Sequence, residues 1–255
     1  MTGILVSTRT PRLDDRPLRH RIGLIALATD HTSEVDYARM IAAQGVGVYV
    51  NRIPYANPVT PQTLAAMEPD LAAGAALILP GEGLDAVIYG CTSASVVIGD
   101  VAVTAAIRRG KPGVPVVTPV SATLAGLRAL GARRISVLTP YSVQTSTPMA
   151  RLFEAEGFAL DRFTCLNMDD DRDMARIALD EIVALAAGAA AKGSEALFIS
   201  CTAVRAAGVI DRMEAATGIP VLSSNYAAAW AVLRLLGIGA AAAPGHLMTL
   251  ARGRP

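Results

Sequence analysis

An excess of charge of one sign, cysteine and long hydrophobic runs are all lacking or scarce in this 255-residue chain, and each shortage removes a class of protein. Lys and Arg number 23 against 22 Asp and Glu, so no basic field exists to displace counter-ions from phosphates, and nucleic acid is excluded as a partner. Three cysteines, Cys91, Cys165 and Cys201, are too few and too far apart for a disulfide framework or a zinc site of paired CxxC motifs. No uninterrupted apolar run approaches the roughly 18 residues that suggest a membrane span. Ile182 to Ala191 is the longest candidate; it is short and Ala-rich, so no membrane partner is expected. Residues Met1 to His20 carry arginines and the adjacent Asp14 and Asp15, without an apolar segment and small-residue cleavage site. The expectation is a cytoplasmic protein with a mobile N-terminal arm.

What is abundant is core material. Hydrophobic residues make up 52% and charged residues 18%, which excludes disorder and coiled coils. At about 100–200 residues per domain, the length allows one large domain or two small ones.

An internal repeat decides between these. Arg21–Val48 (RIGLIALATDHTSEVDYARMIAAQGVGV) lines up without a gap on Arg133–Leu160 (RRISVLTPYSVQTSTPMARLFEAEGFAL). In this alignment Ala38-Arg39 matches Ala150-Arg151, and Gly45 matches Gly157. Ala86–Ser95 (AVIYGCTSAS) answers Ala196–Arg205 (ALFISCTAVR), and Gly113–Gly131 answers Gly218–Gly237. Each unit is a Val/Ile/Leu run closed by small polar residues, then a helical stretch ended by glycine.

Buried strands separated by helices predict an α/β protein of two similar lobes, each with a four-stranded parallel sheet flanked by helices. A pseudo-twofold axis would relate the lobes. Strands are expected near 22–28, 46–53, 86–90 and 115–118, then 134–139, 158–164, 196–200 and 220–222. Helices are expected over about 33–44, 61–79, 94–109, 121–130, 147–156, 171–192, 203–216 and 225–236. The last strand-helix unit is expected to return to the first lobe, so that 1–118 plus 223–255 form one lobe and 119–222 the other. Ligands of open α/β sheets bind beyond the carboxyl ends of the strands, which puts the active site in the cleft between the lobes.

Cys91 and Cys201 occupy equivalent places, each after a predicted strand, each before a threonine and a predicted helix start. Free N–H groups and the macrodipole at a helix N-terminus favour a thiolate, and the same N–H groups with Thr92, Ser93 and Thr202 can hold a carboxylate. A single cysteine of this kind reads as a buried small hydrophobe. Two at symmetry-related positions read instead as acid/base partners acting on opposite faces of one small molecule. Cys165, in RFTCLN, has no counterpart in the repeat and is expected in the core.

The turns YGCTSAS and ISCTAVR, with TPY at Thr139–Tyr141 and SSNYAAAW at Ser223–Trp230, resemble the Asp/Glu/hydantoin racemase superfamily. Within it the sequence is most similar to the maleate cis-trans isomerase and arylmalonate decarboxylase branch, including ectoine-utilisation proteins. The resemblance implies a homo-oligomeric enzyme without metal or cofactor, acting on a small carboxylate. It implies that Cys91 is the nucleophile or base and Cys201 the partner acid/base, with Tyr141 and Asn167 binding carboxylate. Decarboxylases of the branch keep only the second cysteine, so two cysteines favour isomerisation or racemisation. Where the isomerases carry a carboxylate-binding Asn, this chain has Asp30. An ionised Asp would repel a close carboxylate by about 1 to 4 kcal/mol, depending on the local dielectric. Asp30 would instead welcome an amino or guanidino group, which points to an amino-acid-like or acylated diamino acid substrate, unless it only caps the helix behind it.

Other polar residues read as structural. His31 is expected in solvent, and the run Asp169-Asp170-Asp171 with Asp173 as an N-cap and solvated first turn. GEG at 81–83 lacks dinucleotide-binding spacing, and Tyr226 with Trp230 reads as one packing face. Decarboxylation and non-catalytic binding of a small molecule remain the rival readings.

Overall fold

The computed structural model describes residues 3–239 and 244–250. The first half runs β1 (His20–Leu27), α1 (Ser33–Met40), β2 (Val46–Ile53), α2 (Pro61–Ala65), α3 (Asp70–Ala76), β3 (Ala86–Tyr89), α4 (Thr92–Ile98), α5 (Asp100–Gly110), β4 (Val116–Val117) and α6 (Pro119–Ala129). The second runs β5 (Arg134–Thr139), α7 (Val143–Ala155), β6 (Ala159–Cys165), α8 (Asp171–Met174), α9 (Leu179–Ala189), β7 (Ala196–Ile199), α10 (Ile210–Thr217), β8 (Val221–Ser223), α11 (Ser224–Leu235) and α12 (His246–Thr249). All strand pairs are parallel, and the two sheets share one order, β2-β1-β3-β4 and β6-β5-β7-β8.

The apolar runs explain that order. Each central strand (β1, β3, β5, β7) is almost wholly buried, as a strand covered by helices on both faces must be. The edge strands β2 and β6 are partly exposed while β8, at the opposite edge of its sheet, is buried, so burial on both faces, expected of every strand, fails at β2 and β6. Gly45 and Gly157, the paired helix terminators, both take left-handed φ, at 79° and 87°. Helix α11 packs along α6 and against α1 and β4, which carries the end of the chain back to the first sheet.

The predicted helices form, but several are broken. Pro69 separates α2 from α3, Gly99 at φ 89° separates α4 from α5, and the stretch expected at 203–216 opens with a 3-10 turn, Arg205–Val209. The residues from Gly3 to Arg19 lie exposed outside regular structure. Cys165 is half-buried at the end of edge strand β6 rather than in the core, because that strand is covered less than its neighbours. Tyr226 and Trp230 are buried, as expected of a packing face. Among the described residues no helix is long and apolar enough to cross a membrane.

Candidate active site

Six strands deliver the site. Asp30 follows β1, Tyr55 follows β2, Cys91 follows β3, Tyr141 follows β5, Asp171 follows β6 and Cys201 follows β7, and all line one cavity. Every one therefore stands beyond the carboxyl end of a parallel strand, where loops leave the sheet and side chains converge. Leu27, Val59, Leu64 and Ala203 supply apolar wall, and Ser93 and Thr202 complete the polar part.

The two cysteine turns differ. Cys91 has an extended backbone (φ −146°) and immediately precedes α4, with Ser93 Oγ 3.8 Å from its sulfur and the Ala94 N–H bonded to it. Cys201 sits at φ 93°, a left-handed conformation that costs a non-glycine residue about 1–3 kcal/mol and gathers at functional sites. No α-helix begins there. The N–H groups of Ala203 and Val204 nevertheless bond the Cys201 thiol, whose other neighbours are the Tyr141 hydroxyl and Met174 Sδ at 3.9 Å.

These donors do not produce a thiolate in the free protein. Burial pushes the Cys91 thiol up to about 12, against the opposing pull of the Ala94 N–H and Ser93. It pushes Cys201 up to about 11, against Tyr141 and the two N–H groups. The sequence leads one to expect a lowered value from the helix terminus; desolvation in a closed cavity outweighs that field. Asp171 adds to the rise at both sulfurs.

Asp30 does two things at once. Its Oδ1 accepts from the N–H groups of Thr32 (2.7 Å) and Ser33 (2.9 Å), which caps α1, while Oδ2 is buried without a partner. Thr202 lines the cavity but donates its hydroxyl to the Gly90 carbonyl at 3.0 Å. Thr92 does not reach the cavity, because its hydroxyl donates to Ser224 Oγ at 2.7 Å. Asn167 does not reach it either; it is exposed at φ 59° on the loop after β6. His31 is exposed, as expected.

Asp171 is the residue that sequence reasoning misplaced. Asp170 does cap α8 by accepting from the Arg172 N–H, but Asp171 is buried in the cavity rather than in solvent. Asn57 Nδ2 donates to its Oδ1 at 2.8 Å, and Thr29 donates to its Oδ2. Tyr55 and Asn225 were also missed. Asn225 Nδ2 donates to Asp36 Oδ2 at 2.8 Å and to the Thr202 carbonyl at 2.9 Å, fixing the second cysteine turn from behind. Among the described residues no group of three or more His, Cys, Asp or Glu side chains is arranged to hold a metal ion.

Two like parallel sheets that give one cysteine turn each to a shared cavity define the two-lobed, racemase-like α/β class. The chain belongs to the arylmalonate decarboxylase family, whose model matches residues 57–248. It is similar to the arylmalonate decarboxylase of Bordetella bronchiseptica, with 34% identity over 147 residues, covering 57% of this chain and only 61% of that protein. Similarity to the maleate isomerase of Nocardia farcinica is longer, with 27% identity over 229 residues, 86% of this chain and 90% of that one. A solved cysteine-to-serine variant of the N. farcinica maleate cis-trans isomerase, with a covalently bound succinylcysteine intermediate, superposes with a TM-score of 0.81. It is 25% identical and covers 90% of this chain and 98% of that one.

Proposed function

We propose that the protein is a cofactor-independent isomerase or racemase of a small carboxylate, with Cys91 and Cys201 as its catalytic pair. The observation that carries this reading is that both thiols, one from each half of the repeat, line a single cavity. In the isomerase form Cys91 gives up its thiol proton to water as the substrate enters, its thiolate adds to one carbon of the double bond, and the Cys201 thiol protonates the neighbouring carbon. The carbon-carbon bond, now single, rotates. Cys201 then removes a proton and the C–S bond breaks, restoring the Cys91 thiolate and the Cys201 thiol. In the racemase form one thiolate takes the α-proton and the opposite thiol returns a proton to the other face. The solved relative with a succinylcysteine intermediate supports the first form.

In this reading the Ala94 N–H and Ser93 stabilise Cys91 as it ionises, while the Ala203 and Val204 N–H groups and Tyr141 serve Cys201. Tyr141, Ser93 and Asp30 bind the substrate. The lobes divide as 1–118 plus 223–255 and 119–222, and the enzyme works in the cytoplasm as a homo-oligomer. Decarboxylation, with Cys201 as the sole proton donor, is the rival favoured by the family match.

Incubation with maleate and with amino acids in heavy water distinguishes these. Isomerisation or α-deuteration should fall by about 10³-fold or more in both Cys91→Ala and Cys201→Ala. Release of carbon dioxide from a malonate by the Cys91→Ala variant would replace this reading with the decarboxylase.

A further inference from the structure

The chemistry assigned to the two thiols leaves the charge of the cavity unexplained. Asp30 and Asp171 both line it, each nine-tenths or more buried, and no Lys, Arg or His does so among the described residues. The cations in the surroundings are committed elsewhere. Arg52 donates to the carbonyls of Leu27, Ala28 and Asp30 and pairs with Glu34, and Arg172 is held by Asp170.

Neutral donors satisfy Asp171 from Asn57 and Thr29, which meets its hydrogen-bonding needs but leaves its charge uncompensated. Asp30 is less provided for still. One oxygen caps α1, and the other, Oδ2, has no partner. A buried charged oxygen without a partner is expensive, and such atoms in native proteins call for a ligand or a water. Tyr55 and Tyr141 add aromatic wall, a surface to which cations are drawn.

Building on the reading of this cavity as an active site, we infer that its substrate carries a cationic nitrogen, an ammonium or amidinium, bound by Asp30 and Asp171. A dianionic dicarboxylate would add two charges of the sign already present. A zwitterion or diamino acid brings its own carboxylate for the N–H and hydroxyl donors and its own cation for the two aspartates. The cation also assists the chemistry, since neutralising Asp171 removes one of the influences that keep both thiols protonated.

Calorimetric titration of the full-length protein with 2,4-diaminobutyrate and with succinate, two four-carbon acids of opposite net charge, tests this. The diamino acid should bind at least about tenfold more tightly. Asp171→Asn keeps one oxygen to accept from Asn57 and turns an amide N–H to the Thr29 hydroxyl, which can accept it, and Asp30→Asn keeps the cap; each should shrink that preference with little change in the melting curve. Succinate binding as tightly as the diamino acid in the unmodified protein, or no binding of the diamino acid at all, overturns the inference whatever the variants do. The two readings fail separately. Turnover of maleate with no preference for the diamino acid sinks this inference alone, and a preference lost in the Asn variants with no turnover or deuteration of any ligand sinks the isomerase alone.

Discussion

The hydroxyl of Thr202 donates to the carbonyl of Gly90 at 3.0 Å, so the residue after one site cysteine is bonded to the residue before the other. Gly90 can lie this deep because it has no side chain; a Cβ there would stand 3.0 Å from the Ile25 carbonyl oxygen. Thr32 makes a second crossing, donating to the Ala203 carbonyl at 2.6 Å. The spacing of the two thiols is therefore set by hydrogen bonds between turns as well as by the packing of the sheets.

Thr202→Val keeps the shape of the side chain and leaves the buried Gly90 carbonyl unpaired. A stability loss of about 1–2 kcal/mol should follow in urea unfolding. If the bond spaces the thiols, kcat should also fall by about tenfold, with KM little changed, and Thr202→Ser should restore it. A variant that loses stability but turns over normally would show that the packed sheets alone hold the turns.

The free thiols should behave as buried acids. With Cys91 pushed up to about 12 and Cys201 to about 11, iodoacetamide labelling in a Cys165→Ser background should keep rising about tenfold per pH unit through pH 9 to 10. Mass spectrometry of the labelled peptides reads each sulfur separately. Levelling of either rate below about pH 9 would mean that the helix field and N–H donors outweigh desolvation after all.

Cys201 makes a further case, because its φ of 93° penalises any side chain. At an ordinary position glycine is less stable than alanine by about 0.5–1 kcal/mol. In the left-handed region the order should reverse, so Cys201→Gly should unfold at a higher urea concentration than Cys201→Ala, although both are inactive. Alanine proving the more stable would remove strain from the account of this turn.

The contrast between these residues shows what the sequence makes legible. Strands such as 46–53 and 134–139 are bounded as expected, because a Val/Ile/Leu run closed by small polar residues is a local signal. Cys91 and Cys201 stand out because the repeat marks them twice. Asp171 has no such signature. Its donors Asn57 and Thr29 are 114 and 142 residues away in the chain, and its neighbour Asp170 does the capping that the whole acidic run suggests. Asn167 is the better candidate by residue type, yet the loop after β6 turns it outward and seats Asp171 in the cavity. The raised thiols are equally hidden, since desolvation depends on what closes over the site and not on what adjoins the cysteine.

Asp36 predicts how stability responds to pH. Burial raises its carboxyl to about 6, against the hydrogen bond from Asn225, where the unfolded chain titrates at 3.8. Below the unfolded value the group is protonated in both states and contributes nothing. Between the two values the folded protein holds a proton that the unfolded chain has released, so stability falls as pH rises, and the penalty is complete above about 6. The total is about 3 kcal/mol. Asp36→Asn removes the ionisation and can still accept from Asn225, so it should stabilise the protein at pH 7 and flatten this part of the profile. Denaturation midpoints at pH 4.5, 5.5 and 7 compare the two proteins. Parallel profiles would mean that Asp36 is already ionised when buried, with Asn225 and the neighbouring Arg39 carrying its charge.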